Sequence, residues 1–537
     1  MRRLVAFIVN SGLQFTLLYV IVLNTLSGNA AGLAVAMINR TAKHLAAHNF
    51  RWQDGLWFGL ALLCVLALKR LALHKAIELS ERVVEKYRIK VAHLIRQAEL
   101  LQIEHLGEED VYVKLTKDAQ KVSQAVRKSL KGFEAVIIAV FVFGYMIWQY
   151  SGAAFVVLAF NGIAVIVYLI ARELAYPLTH AVTDRETELF GVLAHFLDGF
   201  KELKIDQAKN DDLVQQYLLV QSQTVRAMRI RLSGVFTELK VTIDTLYYLG
   251  IGSILFLFTV DVSSAIRFEV VAMVLFLWAH LYRIYAAVPY LTAAEVSIDR
   301  LEQLAHQLQQ GLAPVNSIPP EEQMTAFREL RFENLAFHYT AQDGQRTFTV
   351  GPVTLTIRPG EILYLSGGNG SGKTTLVKLL TGLYPPFAGV ITLDDAEISM
   401  ADHRYLVAPI FSDAHLFDSL YGLPAIDDQR VNDLLRVMDL AQKTRWQDRR
   451  FTDLNLSTGQ RKRLALIQAV LEDKPIYVFD EWAAEQDPHF RAYFYEELLP
   501  ELKAQGKAVI VVTHDERYFY LADRIMKMRD GKIIADA

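Results

Sequence analysis

The residues Gly367-Gly368-Asn369-Gly370-Ser371-Gly372-Lys373-Thr374 fit the spacing G-x-x-x-x-G-K-[ST]. An apolar run, 362–365, precedes them, and a helix-like stretch, 375–380, follows. Strand, glycine loop and helix in that order make a phosphate cradle. The glycines let backbone N–H groups turn inward at a helix N-terminus that already favours anions. Lys373 is expected to neutralise the β- and γ-phosphates of a bound nucleotide, Thr374 to ligate Mg2+, and Thr375 to complete the nucleotide-contacting turn.

Downstream, Ile476-Tyr477-Val478-Phe479-Asp480-Glu481 is an apolar strand ending in two carboxylates. Alone, such an ending is common and usually structural. After a phosphate loop it becomes a second nucleotide motif, with Asp480 in the Mg2+ shell and Glu481 as general base toward the attacking water. The runs 361–365, 474–479 and 508–512 read as buried strands of an α/β domain spanning 324–537. Residues 311–323, GLAPVNSIPPEEQ, carry three prolines and no apolar period, and read as a linker.

Residues 1–310 follow a different rule. Six apolar stretches, near 4–26, 56–74, 133–149, 153–171, 241–260 and 269–288, each approach the ~20 residues that cross a bilayer as a helix. Short joins near Ser151-Gly152 and 261–267 alternate with two long polar, helix-forming excursions. Lys69, Arg70, Lys75, Arg82, Lys86, Arg88, Lys90 and Arg96 follow the second span, and Arg226, Arg229 and Arg231 precede the fifth. The positive-inside rule therefore places the excursions and both termini in the cytoplasm, against a minority vote from Arg40, Lys43 and Arg51. The turns of the excursions, near 104–112 and 190–204, are natural docking points for a cytoplasmic domain; solvated arms are the plainer alternative. Met1-Arg2-Arg3 before an apolar run looks like a signal peptide, but the run continues without a small-residue cleavage site, so a retained first membrane helix is expected.

Composition agrees with a membrane half joined to a soluble half: 52% hydrophobic and 21% charged residues, with a mean hydropathy of +0.21. A net charge of −3 offers no basic field for nucleic acid. Cys64, the single cysteine, sits in an apolar run and reads as a core or lipid-facing residue.

Leu456-Ser457-Thr458-Gly459-Gln460 resembles the LSGGQ signature of ATP-binding cassette proteins, with Thr458 replacing the first glycine. The resemblance implies roles for further residues in chain order: Tyr339 stacking on adenine, Asp487 as the D-loop aspartate, and His514 of Val-Val-Thr-His-Asp as the switch histidine. It also implies a dimer, because Ser457, Gly459 and Gln460 of one chain would close over ATP bound to the phosphate loop of another. With one cassette and one six-span unit, the chain resembles a half-transporter that homodimerises in a bacterial inner membrane, surrounded by lipid. The family usually carries Gln before a Leu-Phe pair; here Phe411-Ser412-Asp413-Ala414-His415-Leu416-Phe417 puts Ser412 there. That run, together with Thr458-Gly459-Gln460-Arg461-Lys462-Arg463 and Asp480-Glu481-Trp482-Ala483-Ala484-Glu485-Gln486-Asp487-Pro488, is similar to the exporters of cyclic peptides, lipopeptides and siderophore precursors. The expected cargo is peptide-like. A lipid or multidrug flippase is the alternative on the same fold, and an importer or a soluble cassette protein acting on nucleic acid are weaker ones.

In the sixth span, His280 and Arg283 lie three apart, on one helix face, with Asp244 as a candidate counter-charge. They read either as the lining of a translocation cavity for an amphipathic, partly anionic molecule or as an interhelical structural network.

Overall fold

Contacts divide the chain into two units, residues 1–98 with 102–312 and residues 99–101 with 313–537. The structure is a computed structural model describing residues 2–46, 52–257, 264–310, 326–340, 346–423 and 426–536. The segment 311–323, expected as a linker, lies outside the described residues.

The first unit is helical. Its long helices are α1 (Gln14–Ala46), α2 (Trp52–Gln97), α3 (Ala119–Gln149), α4 (Ser151–Asp198), α5 (Leu219–Leu257), α6 (Ser264–Tyr285) and α7 (Val288–Gln310). Among the described residues six helices are long and apolar enough to cross a membrane. At 1.5 Å per residue, the 48 residues of α4 extend roughly 40 Å beyond a ~30 Å hydrocarbon core. The excursions are thus continuations of the membrane helices, and their turns fall at 98–107 and 199–206. The first span differs from its expected limits. A short amphipathic helix, Arg2–Asn10, buries Leu4, Phe7 and Ile8 and stops at Gly12, whose φ of +69° is left-handed; the apolar span begins only at Gln14. The polar trio Asn10-Ser11-Gly12 supplies the physical reason, because it offers the chain a turn instead of a further helical turn.

Two glycines let α1 and α3 approach closely. A Cβ on Gly28 would stand 2.8 Å from Ile137, and one on Gly32 2.4 Å from Phe141. Both pairs are spaced i, i+4, which is the small-residue packing of membrane helices. Ion pairs with a buried member tie α7 to its neighbours. Arg172 reaches Glu295 at 2.8 Å, and Arg300 lies 3.2 Å from Asp110 and 3.6 Å from Asp118. Outward, Leu56, Trp57, Leu60, Leu63 and Leu66 are exposed on α2, as lipid-facing residues are, and Cys64 is exposed with them.

The second unit has two main sheets. One holds β1 (Leu330–Thr340), β2 (Arg346–Ile357) and β4 (Ala388–Leu393) in antiparallel pairing. The other includes β3 (Ile362–Gly367), β5 (Val407–Ile410), β6 (Ile476–Asp480), β7 (Ala508–Val512), β8 (Arg524–Arg529) and β9 (Lys532–Asp536), ordered β9-β8-β3-β7-β6-β5. Its central strands are continuous apolar runs because both faces are covered. Tyr364, Phe479 and Val511 face one core, with Leu464 and Ile467 of helix α9 (Thr458–Glu472). Leu365, Val478 and Ile510 face the other, with Leu376 and Leu380 of helix α8 (Lys373–Leu380). The register aligns Leu365 with Val512, Val512 with Asp480, and Ile410 with Phe479. The loops after β3, β5, β6 and β7 therefore open at one carboxyl edge, where ligands of such sheets bind.

Candidate nucleotide site

The phosphate loop leaves β3 at Gly367 and enters α8 at Lys373. Gly367 has φ +151°, and a Cβ there would meet the Met528 carbonyl oxygen at 2.3 Å; only glycine fits. Gly372 caps α8 with φ +102°. Gly368, Asn369 and Gly370 form the exposed crest, while Ser371 is buried. Lys373 donates from Nζ to the carbonyls of Gly367 (2.8 Å) and Gly368 (3.1 Å). Burial lowers its pKa, against the pull of Glu481 and Asp480.

Asp480 ends β6 with 1% exposure. Neither of its carboxylate oxygens meets a donor at hydrogen-bond geometry among the described residues. Burial, then the neighbouring Glu481 carboxylate, raises its pKa above the ordinary range; Thr374, Lys373 and Lys462 act the other way and lose. A buried carboxylate beside a threonine hydroxyl is the donor set a hard divalent cation takes, so Mg2+ fits Asp480 and Thr374. Glu481 follows in a left-handed conformation, φ +53°. Its Oε1 lies 3.3 Å from His514 Nε2. His514 follows Thr513, whose hydroxyl hydrogen-bonds the Tyr495 hydroxyl at 2.5 Å and anchors the end of β7.

Tyr339 is on β1, half-buried, with its hydroxyl 3.2 Å from that of Thr375 and 3.4 Å from that of Tyr384. The expected adenine stacker is thereby tied to the helix that follows the phosphate loop. Ser412 and Asp413 are exposed and leave β5 at the same sheet edge as Asp480.

Two groups of expected contact residues also hold local structure. Ser457 caps α9 in a capping box: its hydroxyl accepts from Gln460 N at 3.4 Å, and Gln460 Oε1 accepts from Ser457 N at 3.0 Å. The spacing S-x-x-Q before an apolar run signals this box, and the sequence reading passed over it. Asp487 caps the short helix Pro488–Ala492, accepting from His489 N and Phe490 N at 3.0 Å. Lys462 stands in the run 458–463 that resembles the exporter subfamily, but its burial beneath Glu481 leaves no local sequence signal of a role.

In the helical unit, a cavity of about 280 Å³ opens between α5 and α6, with Lys240, Asp244, Tyr282 and Tyr285 in its lining. His280 and Arg283 are not part of that lining. His280 is buried, with Nδ1 3.0 Å from the Phe276 carbonyl oxygen, whereas Arg283 is exposed. Spacing by three put them on one face; packing against neighbouring helices gives them different surroundings.

Comparison with known proteins gives this arrangement its class. A family model described as ABC transporter matches residues 350–484. The fold is that of a solved bacterial Atm1-family ABC exporter with ATP bound, at TM-score 0.78 and 14% identity, covering 98% of this chain and 95% of that one. The chain is 31% identical to "ATP-binding protein SyrD" of Pseudomonas syringae pv. syringae across 95% of its own length and 93% of that protein's. It is 33% identical to an ATP-dependent lipid A-core flippase of Burkholderia pseudomallei (strain 1710b) over 38% of this chain and 36% of that one. The chain belongs to the ABC transporter family. It is a half-transporter that couples ATP hydrolysis to transport, a multi-pass inner-membrane protein with its ATP-binding domain in the cytoplasm.

Proposed function

We propose that the chain works as a homodimer that exports a peptide-like molecule, hydrolysing Mg2+-bound ATP at two equivalent sites. One observation carries the dimer. The phosphate loop, Asp480, Glu481 and His514 gather at one edge of the parallel sheet, while Ser457 and Gly459 start a separate helix, α9. A signature turn built that way supports completion of the site by a second copy. Domain limits near 1–310 and 324–537 go with this reading.

In hydrolysis the γ-phosphoryl group passes to water and ADP leaves. Lys373 and the loop N–H groups would hold the phosphates, and Asp480 with Thr374 would hold Mg2+, which neutralises charge developing on the phosphate oxygens. Glu481 would take a proton from the attacking water, and His514 would keep its carboxylate in place. Tyr339 would stack on adenine, and Asp487 would stand near the junction with the second copy. Closure of two cassettes on ATP would switch the membrane half between inward- and outward-facing states.

Peptide-like cargo is favoured by the stretches 411–417, 458–463 and 480–488, which resemble cyclic-peptide exporters. Similarity to the lipid A-core flippase covers about a third of that protein. The cavity of Lys240, Asp244, Tyr282 and Tyr285 suits an amphipathic molecule with charged groups. Transport into inside-out vesicles tests this, comparing cyclic peptides, siderophore precursors and lipids; uptake of lipids alone overturns the cargo assignment. Glu481→Gln tests the base, with ATP bound and turnover almost abolished expected; near-normal turnover refutes it.

A further inference from the structure

The helix that begins with the signature turn is bonded to the backbone of Glu481 through one buried ammonium. Lys462, one turn into α9, is 4% exposed. Lysine is seldom buried without a partner. Its Nζ donates to the Glu481 carbonyl oxygen at 2.9 Å and lies 3.8 Å from Glu485 Oε1. The indole N–H of Trp482 donates back to the Lys462 carbonyl at 2.8 Å. Nearer the signature, Gln486 Nε2 donates to the Gly459 carbonyl at 3.1 Å, and a Cβ on Gly459 would lie 2.7 Å from the Glu485 carbonyl oxygen. The segment from Glu481 to Gln486 is thus laid along the first turns of α9, with no room for a side chain at position 459.

Glu481 itself occupies a left-handed conformation, φ +53° and ψ +37°. Non-glycine residues hold such a conformation only where surroundings enforce it. The backbone carbonyl presented there has a weak local donor, Ala484 N at 3.4 Å, and a strong one in Lys462. A charged donor makes the tighter hydrogen bond.

We propose that Lys462 is a positioning residue for Glu481, fixing its backbone so that the carboxylate stays against His514. Because Lys462 rides on α9, the base of one ATP site follows the helix whose signature turn engages the other. This inference rests on Glu481 being the base. The roles are separate: Lys462 is bonded to the backbone of Glu481, not to its carboxylate, and in this inference it acts on catalysis through that backbone.

The experiment uses the full-length protein in lipid vesicles and compares Lys462→Met, Lys462→Gln, Glu481→Gln and the Met and Gln changes at 462 and 481 combined. Methionine keeps the buried volume and removes the donor; glutamine keeps a neutral, shorter donor. For Lys462→Met, kcat is expected to fall about ten- to a hundredfold, the scale of a misplaced catalytic group, while KM for ATP stays within about twofold. Lys462→Gln should recover part of kcat, and the combined variant should match Glu481→Gln alone. The inference is overturned if folded Lys462→Met keeps kcat within about twofold. It is also overturned if Lys462→Gln, should the Met variant fail to fold, loses only in proportion to its ATP-binding fraction, or if the combined variant loses a further full factor. Near-normal turnover of Glu481→Gln refutes the base assignment instead, and is read from a different variant.

Discussion

Asp480→Asn should stabilise the metal-free protein while abolishing its response to Mg2+ and ATP. The aspartate is 1% exposed, and neither oxygen meets a donor at hydrogen-bond geometry among the described residues. The two cations that act on it bond elsewhere, Lys373 to the Gly367 and Gly368 carbonyls and Lys462 to that of Glu481. An unsatisfied buried polar group costs about 1–3 kcal/mol. Asparagine removes the charge and keeps buried polar atoms, so the lower part of that range applies, about 1–2 kcal/mol. For a domain of this size the gain corresponds to a Tm rise of roughly 2–8 °C.

The sign follows from burial and Glu481 raising the folded-state pKa of Asp480 above its unfolded value. The penalty is complete above the raised pKa and vanishes below the ordinary carboxylate range. The variant's advantage should therefore be largest near pH 8 and shrink as pH falls through the raised pKa. Thermal unfolding of the detergent-solubilised protein in EDTA, across pH, measures it. Saturating Mg2+ and ATP should then invert the order, because a ligand at a hundred times its Kd adds about 2.7 kcal/mol to the parent alone. A variant that melts at or below the parent at pH 8 without metal, or whose advantage ignores pH, refutes the reasoning.

Gly459→Ala would force a Cβ to 2.7 Å from the Glu485 carbonyl oxygen, which is backbone and cannot rotate away; kcat should drop at least about tenfold with ATP affinity retained in a nucleotide-binding assay. Gly32→Leu places a side chain where Phe141 already stands at 2.4 Å. Its overpacking should cost about 1–3 kcal/mol, visible as lower Tm and yield of the membrane-extracted protein. Tyr282→Ala should reduce cargo-stimulated ATP hydrolysis more than Arg283→Ala, because Tyr282 lines the cavity and Arg283 does not; the reverse order would return the exposed arginine to the cargo path.

Much of this protein was legible from local pattern. The phosphate loop, the strand ending in Asp480 and Glu481, and the six apolar stretches are signals carried by consecutive residues, because backbone geometry and bilayer thickness act on consecutive residues. Where a turn competes with a helix the signal weakens, which is why the first span was drawn through Gly12 instead of starting at Gln14. The capping box at Ser457 and Gln460 is equally local, its S-x-x-Q spacing overlapping the signature itself.

What only the tertiary structure decided is non-local pairing. Hydropathy and spacing group His280 with Arg283, but neighbouring helices bury the histidine and leave the arginine exposed. Gly28 and Gly32 matter because Ile137 and Phe141, a hundred residues away, take the space their side chains would need. Asp480 is fixed by sequence as the end of a strand; its raised pKa arises from burial beside β7, which Thr374 and Lys373 of α8 and Lys462 of α9 only partly offset. Runs of consecutive residues suffice to show that the chain crosses a membrane and binds a nucleotide. The structure decided that the signature helix and Glu481 are joined by Lys462, because a buried charge takes its meaning from the atoms folding brings to it.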